Sequence, residues 1–354
     1  MKILAIDTSF DETSVAVTQN DCILSNKIAS EIEIHKKWGG VVPSIARRLH
    51  EEKIDFVIKE ALTQAKTKLE EIDAFAVTYG PGLAIALEVG IQKIESLAKE
   101  YNKKIIKVNH MEGHIYSALA LNSKGKYKNQ SKIEYEFPLL ALLVSGGHTE
   151  LVLMKDHGSY EIIGRTLDDA VGEAFDKVGR MLEIGYPGGP MIEQIAKDGD
   201  ENAYVLPIPM TKTRNTEMSY SGLKTAILYL TRKVFTEGMD PKEKAKITRD
   251  IAASFQKTAI DSLILKTKIA LENISKKENV EIKDLILAGG VAANNLLRKR
   301  FRIAFGKEHR VHYPTNKKLF GDNAAMIGVA AYYNALKGKY SETSPIQREP
   351  NLSL

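Results

Sequence analysis

One pattern of hydropathy and turn chemistry occurs twice in this chain, about 137 residues apart, and few architectures accommodate it. In the first copy residues 2–6 form a compact apolar run, Asp7-Thr8-Ser9-Phe10-Asp11 supplies a turn, and residues 14–18 and 23–28 alternate like two further strands. A loop with Gly39-Gly40 leads into a helical pattern over about 44–65, with Ile45, Leu49, Ile54, Val57, Ile58, Ala61 and Leu62 on one face. In the second copy the run 139–144 is followed by the turn Ser145-Gly146-Gly147-His148-Thr149. Strands over 151–154 and 160–165 come next, then a helix from about Leu167. The residue identities differ, so the repeat is one of pattern rather than of sequence.

Between the copies, 73–78 predicts a strand, Gly80-Pro81-Gly82 a turn, 84–99 a helix and 104–108 another strand. Strand, helix, strand in that order requires a parallel crossover and places the chain in the α/β class. The polar stretch 122–136, rich in Asn, Ser and Lys, reads as a hinge or exposed loop. At 354 residues the chain has room for two domains of ~150 residues. The expected division is an N-terminal lobe over 1–136, a second lobe over 137–321, and a returning helix and tail over 322–354.

Composition narrows the chemistry. Cys22 is the one cysteine, which excludes an intramolecular disulfide and a Cys-rich metal site. Net charge is 50 − 45 = +5, which tolerates a polyanionic partner without demanding one. The apolar runs 3–6 and 139–144 are too short for a signal or a spanning helix, so the chain is expected to be soluble and cytoplasmic, with no membrane partner.

Residues 109–114 read Asn-His-Met-Glu-Gly-His just after a predicted strand. Helical positions i and i+4 lie ~40° apart, so His110 and His114 share a face and can chelate one ion. A zinc peptidase needs Glu directly after the first His, and Met111 stands there, with Glu112 turned to the far side. Two histidines are too few for a catalytic metal. A carboxylate from elsewhere must complete the set, and adjacency does not name it. Ser145 to Thr149 is either a tight hairpin or a loop whose amides cradle phosphate. The strand 285–288 with Gly289-Gly290-Val291-Ala292-Ala293-Asn294-Asn295 reads as strand, Gly-rich turn and helix start, with Asn294 a cap or a nucleoside contact. Asp169, Glu173 and Asp176 at i, i+4, i+7 make an acidic stripe on the helix expected after Arg165. Residues 291–318 carry eight Lys/Arg against Glu308, a basic excess that suits either a solvated helix or a nucleic-acid backbone.

Taken in order, these segments resemble one family: the TsaD family of tRNA adenosine threonylcarbamoyltransferases, in its bacterial form. The matching stretches are Ile6-Asp7-Thr8-Ser9 with Asp11-Glu12-Thr13-Ser14, Gly39-Gly40-Val41-Val42-Pro43, Gly80-Pro81-Gly82-Leu83 and His110-Met111-Glu112-Gly113-His114. They continue through Leu143-Val144-Ser145-Gly146-Gly147-His148-Thr149, Gly172-Glu173-Ala174-Phe175-Asp176-Lys177, Tyr186-Pro187-Gly188-Gly189-Pro190 and Ser221-Gly222-Leu223-Lys224-Thr225. Gly289-Gly290-Val291-Ala292-Ala293-Asn294 and Asp322-Asn323-Ala324-Ala325-Met326 complete the series.

The resemblance implies a two-lobed, duplicated actin-like ATPase fold (ASKHA, ribonuclease H-like). It implies one divalent metal per chain, iron(II) ahead of zinc, held by His110, His114 and Asp322. It implies a threonylcarbamoyl-AMP site with Leu143, Val144, Ser145, Gly146 and Gly147 around the phosphate, and Asp176, Gly189, Asn294 and Glu193 around the adenosine. The family moves the threonylcarbamoyl group to the exocyclic amine of the adenosine 3′ to the anticodon in tRNAs that read ANN codons. It works with a paralogous TsaB subunit and a small ATPase, TsaE. Asp11 or Glu12 is the expected general base. Phe10, Phe320-Gly321, Glu88 and Tyr220 depart from the family pattern, and Phe320-Gly321 bears on the surroundings of Asp322. The competing readings are an actin-fold ATPase or sugar or acyl kinase, a metallopeptidase, and a non-catalytic nucleotide-responsive scaffold.

Overall fold

The computed structural model describes residues 1–127, 130, 133–341 and 345–354. Within the polar stretch 122–136, residues 128, 129, 131 and 132 lie outside the described residues. The chain forms two compact units. The first comprises Met1–Tyr135, Met154–Tyr160 and His312–Leu354, and the second comprises Glu136–Leu153 and Glu161–Val311. The chain thus returns to the first unit at His312, ahead of residue 322.

The first unit is built on strands β1 (Lys2–Asp7), β2 (Glu12–Gln19) and β3 (Cys22–Ser30). A one-turn helix α1 (Ile32–His35) and the long α2 (Pro43–Ala65) follow, then β4 (Ala74–Gly80), α3 (Ala84–Tyr101), β5 (Lys104–Asn109) and α4 (His110–Ser117). The sheet order is β3-β2-β1-β4-β5. β1 runs antiparallel to β2 and parallel to β4, with Ala5 opposite Ala16 on one side and Ala76 on the other. Such a strand is covered on both faces, which is why residues 3–6 read as an unbroken apolar run and are fully buried. Pro43 opens α2 where its missing N–H costs nothing, and Lys66 in the left-handed conformation closes it. Leu4, Ile6, Val15, Val17 and Phe75 of the sheet pack with Ile54, Val57 and Ile58 of α2 and Leu87 and Ile91 of α3.

The second unit repeats the plan. Its elements are β6 (Leu139–Val144), β7 (Thr149–Asp156), β8 (Ser159–Arg165), α5 (Val171–Met181), α6 (Gly188–Ala196), α7 (Ser221–Val234), α8 (Pro241–Glu278), β9 (Asp284–Ala288), α9 (Asn295–Phe305) and β10 (Arg310–His312), except that the end of β7, the start of β8 and His312 fall in the first unit. The order β10-β9-β6-β7-β8 again puts three consecutive strands to one side and a returning parallel strand, β9, beside the first. The sequence expectation of a duplicated strand–turn–strand pattern therefore holds at the level of topology. The helix expected from Leu167 starts instead at Val171. Leu167 N–H donates to Met218 O, and Asp168 takes the N–H groups of Tyr220 and Ser221, so residues 166–169 bind the start of α7 instead of opening α5.

The last helix, α10 (Ala324–Leu336), belongs to the first unit. It crosses α4 closely, because a Cβ at Gly113 would lie 2.8 Å from Ile327 Cδ1 and 3.0 Å from Met326 Cγ. Any larger residue at 113 holds the two helices apart, and Asp322 lies two residues ahead of α10, next to its cap Asn323. No helix among the described residues is long and apolar enough to cross a membrane.

Candidate metal centre and nucleotide cavity

Asn109 ends β5 and caps α4, its Oδ1 accepting from Met111 N–H at 2.8 Å and Glu112 N–H at 3.4 Å. The cap starts the helix at His110, so His110 and His114 lie one turn apart, ring centroids 4.7 Å from each other and nearly perpendicular. Asp322 reaches them from the head of α10, its Oδ1 3.2 Å from His110 Nε2 and 3.3 Å from His114 Nε2. The three ligand atoms lie within 4.8 Å of one another.

The residues fit a metal. Among the described residues His114 Nδ1 has no hydrogen-bond partner, and its buried Nε2 faces only the Asp322 carboxylate at 3.3 Å in poor hydrogen-bond geometry, an arrangement that is costly unless something else takes a lone pair. Two imidazole nitrogens and one carboxylate oxygen form a donor set that suits iron(II) or zinc and leaves coordination positions open. On the far side of the His110 ring, Nδ1 lies 3.1 Å from Ser9 Oγ and 3.6 Å from Asp7 Oδ2, which directs Nε2 toward Asp322. Burial opposes charge on His110, but Asp322 and Asp7 outweigh it and hold the imidazole up at about 10. Burial likewise opposes ionisation of Asp322, and the two histidines reverse it, keeping the carboxyl far below the usual range. His114 is pushed down, chiefly by burial. Phe10, a departure from the family pattern, meets His110 edge-on at 5.8 Å. Phe320, another departure, is buried.

Asp11 and Glu12 carry the turn into β2. Burial, then the charge of Asp322, raises the Glu12 carboxyl well above its ordinary value. Burial also raises Asp11, against a hydrogen bond with Glu12. Glu112 is absent from this cluster. Its Oε1 accepts from Tyr160 OH at 2.8 Å and its Oε2 from Asn334 Nδ2 at 3.0 Å, so the peptidase reading lacks its water-activating carboxylate.

Sequence reasoning missed the support beneath Asp11. Glu31 N–H donates to Asp11 O at 3.0 Å, His50 Nε2 meets Phe10 O at 3.0 Å, and Thr13 Oγ1 meets His50 Nδ1 at 2.8 Å. Glu31, His35 and His50 are all fully buried. Glu31 and His35 stand at i, i+4, but no spacing rule joins them to Thr13 and His50, which β2 and α2 bring to them only in the folded unit.

In the second unit a cavity of about 170 Å³ is lined by Gly146, Phe175, Asp176, Gly189, Glu193 and Asn294 among others. Asp176 Oδ1 accepts from Gly188 N–H at 2.7 Å, which pins the start of α6. Burial raises the Asp176 carboxyl, while the Gly188 and Gly189 amides pull it back. Asn294 caps α9, Oδ1 accepting from Leu297 N–H at 3.0 Å while Nδ2 donates to Gln256 Oε1 at 2.7 Å. Glu193 Oε1 accepts from Asn295 N–H at 2.9 Å. The expected phosphate loop divides. Gly146 lines the cavity, whereas Leu143 and Val144 are fully buried in β6. Ser145 closes the turn, its N–H donating to His148 O at 2.8 Å and its Oγ accepting from His148 N–H at 3.0 Å. Gly147 does not line the cavity.

Two surface readings change. The acidic stripe is not a solvated helix face, because Asp169 precedes α5 and pairs with Lys177 and Lys224 at 2.8 and 2.6 Å, while Asp176 faces the cavity. The basic stretch after Val291 is partly spent inside the unit. Arg300 binds Glu201 and Asp261, Arg310 binds Asp284 and Glu136, and Arg298 donates to Ala292 O.

A family model described as TsaD, tRNA N6-adenosine threonylcarbamoyltransferase, matches residues 22–329. A protein of Thermosipho africanus with that same name is 43% identical over 354 residues, covering 100% of both chains. One of Thermodesulfovibrio yellowstonii, again so named, is 46% identical over 343 residues, covering 97% of each. Among solved structures, HypF of T. kodakarensis superimposes with a TM-score of 0.59 at 14% identity, over 96% of this chain and 48% of that one. Component A of (R)-2-hydroxyglutaryl-CoA dehydratase from Acidaminococcus fermentans gives a TM-score of 0.52 at 14% identity, over 95% and 99%. These likenesses speak for the fold alone, which is of the actin-like ATPase class.

Proposed function

This chain belongs to the family of tRNA N6-adenosine threonylcarbamoyltransferases, and from that premise we propose how its residues carry out the transfer. The enzyme moves a threonylcarbamoyl group onto N6 of an adenosine in tRNA. We propose threonylcarbamoyl-AMP as the donor and the adenosine 3′ to the anticodon, in tRNAs reading ANN codons, as the acceptor. In the reaction the N6 amine attacks the carbamoyl carbon, a C–N bond forms, the bond to the phosphate oxygen breaks, and AMP leaves with that electron pair. The amine proton passes to a base.

The cavity of the second unit, about 170 Å³, is the proposed seat of the adenine end of the donor. Phe175 and Val291 offer apolar surface, Asp176 and Glu193 offer hydroxyl acceptors, and Gly146 lets a phosphate approach the β6–β7 turn. In the first unit His110, His114 and Asp322 would hold one divalent metal, iron(II) ahead of zinc. When bound it supplies a Lewis acid for a carbonyl or carboxylate oxygen. Asp7 and Ser9 orient His110 for that duty. Asp11 or Glu12 is the proposed base, on the ground of position beside Asp322. The reading extends to the cytoplasm as the place of action and to TsaB and TsaE as partners. The kinase and scaffold alternatives leave the histidine pair without work.

The observation that carries this reading is the convergence of the His110–His114 pair with Asp322, which lies more than two hundred residues later in sequence, in a chain of this family. The test is incorporation of labelled threonine and bicarbonate into tRNA by the purified protein with ATP and the partner proteins, alongside metal analysis. His110→Ala is expected to lose both metal and activity. Full metal content in that variant overturns the ligand assignment, and no incorporation with active partners overturns the transfer.

A further inference from the structure

The described C-terminal residues run over the ends of β4 and β5, directly behind the histidine pair. Ile346 is buried in the core of the first unit, and its N–H donates to Glu95 Oε1 at 2.5 Å. Arg348 pairs with Glu88. Glu349 N–H then donates to Tyr79 O at 2.8 Å, and Gly82 N–H donates to Pro350 O at 3.1 Å. The segment therefore binds both sides of the Gly80-Pro81-Gly82 turn through backbone. Gly80 is glycine for this reason, since a Cβ there would run into the carbonyl of Glu349. Finally Asn109 Nδ2 donates to Ser353 O at 3.1 Å.

Two of these anchors, Asn109 and the Gly80–Gly82 turn, lead to the metal centre. Asn109 is the cap of α4, and the residue after it is His110. The Gly80–Gly82 turn hands over to Leu83, whose N–H donates to Ser9 O at 2.8 Å, and Ser9 Oγ is the partner of His110 Nδ1 at 3.1 Å. The β4–β5 ladder slips at this place, between Thr78 and Gly80, so sheet hydrogen bonding alone does not set the height of Gly80 against Asn109. The tail supplies the missing constraint.

We propose that residues 349–353 are a strap that positions the metal ligand His110, by fixing the cap of α4 from one side and the Ser9 turn from the other. This rests on the metal reading of His110, His114 and Asp322. The strap touches no ligand atom itself, so its residues are positioning residues. Outer-shell support of a ligating histidine is worth roughly 10–100-fold in metal affinity, and a support one bond further out should give about tenfold.

The experiment compares zinc affinity, by competition with a chromophoric chelator, in the full chain, in a chain ending at Arg348, and in Asn109→Ser. Serine keeps an oxygen to cap α4, but its single hydroxyl sits one bond short of the amide nitrogen that reaches Ser353 O, so it breaks the strap contact without deleting chain. The melting temperature of each metal-free protein is measured beside it. The expected result is a roughly tenfold weaker zinc affinity in both variants, with the Asn109→Ser melting temperature within a few degrees of the parent. Unchanged affinity in both variants overturns the strap, as does a loss confined to the truncated chain and accompanied by a collapse of its melting temperature. Absence of zinc binding by the full chain overturns the metal reading and the strap together, whereas tight binding by all three proteins overturns the strap alone.

Discussion

Glu31 gives the sharpest quantitative test of the buried network under Asp11. Burial raises its carboxyl from 4.5 to about 7, against smaller opposing effects of Lys53 and Thr13. The nearest basic groups are His50 Nδ1 at 3.4 Å, His35 Nε2 at 3.6 Å and Lys53 Nζ at 3.7 Å, all too far for a good ionic hydrogen bond. An acid whose native value lies above its unfolded one stabilises the fold below about 4.5 and loses that contribution as pH rises through about 7. At 1.36 kcal/mol per pH unit, the loss across this window is about 3 kcal/mol. His50 works the other way. Burial lowers it to about 4, so its contribution is present above 6.5 and lost as pH falls through about 4. The stability curve of the parent protein therefore mixes two opposed slopes, and the difference between parent and Glu31→Gln isolates one. That difference should be small at pH 4.5 and should favour the variant progressively more up to pH 8, by about 3 kcal/mol in all. Urea unfolding followed by far-ultraviolet circular dichroism reads it. A stability difference that stays flat between pH 4.5 and 8 refutes the raised Glu31 carboxyl.

Three further outcomes follow from the second unit. Asp176→Ala frees the Gly188 and Gly189 amides and should weaken AMP binding at least tenfold by calorimetry, with zinc affinity unchanged. Gly172→Ala places a Cβ 2.5 Å from Ser145 O, so the β6–β7 turn must shift; AMP binding should fall while the circular dichroism of the fold persists, and intact AMP affinity would contradict the close approach. Lys266 is fully buried, and its ammonium donates to Asn215 O at 2.9 Å and Thr213 Oγ1 at 3.1 Å. Lys266→Met removes about 2 kcal/mol of local anchoring and should speed proteolytic cleavage near residues 210–217, with no change if that loop is held by other contacts.

Legibility followed the range of the interactions. The α4 histidine pair was readable because i, i+4 geometry is local and the cap at Asn109 is local. The duplicated strand order was readable because burial on both faces of β1 and β6 leaves apolar runs that periodicity detects. The start of α5 was misplaced because Asp168, a residue that suits a helix start, is recruited by α7, some fifty residues later in sequence. The pairing of Asp169 and of Arg300 was not legible for the same reason, since their partners Lys224, Glu201 and Asp261 are remote in sequence.

By itself the sequence determined the α/β class, the doubling of the unit, the histidine pair and, through motif order, the family. Those depend on side-chain periodicity, turn residues and short spacings, which a linear chain carries whole. Motif order also named Asp322 as the third ligand, but only the folded structure shows that carboxylate within reach of the histidines, that Asp7 and Ser9 stand behind His110, that Glu31 and His50 support Asp11, and that the tail lies against Asn109. These are contacts between elements, set by how closely α4 and α10 approach through Gly113 and by where the chain returns after the second unit. Their geometry exists only once the core has fixed the helices against the sheet.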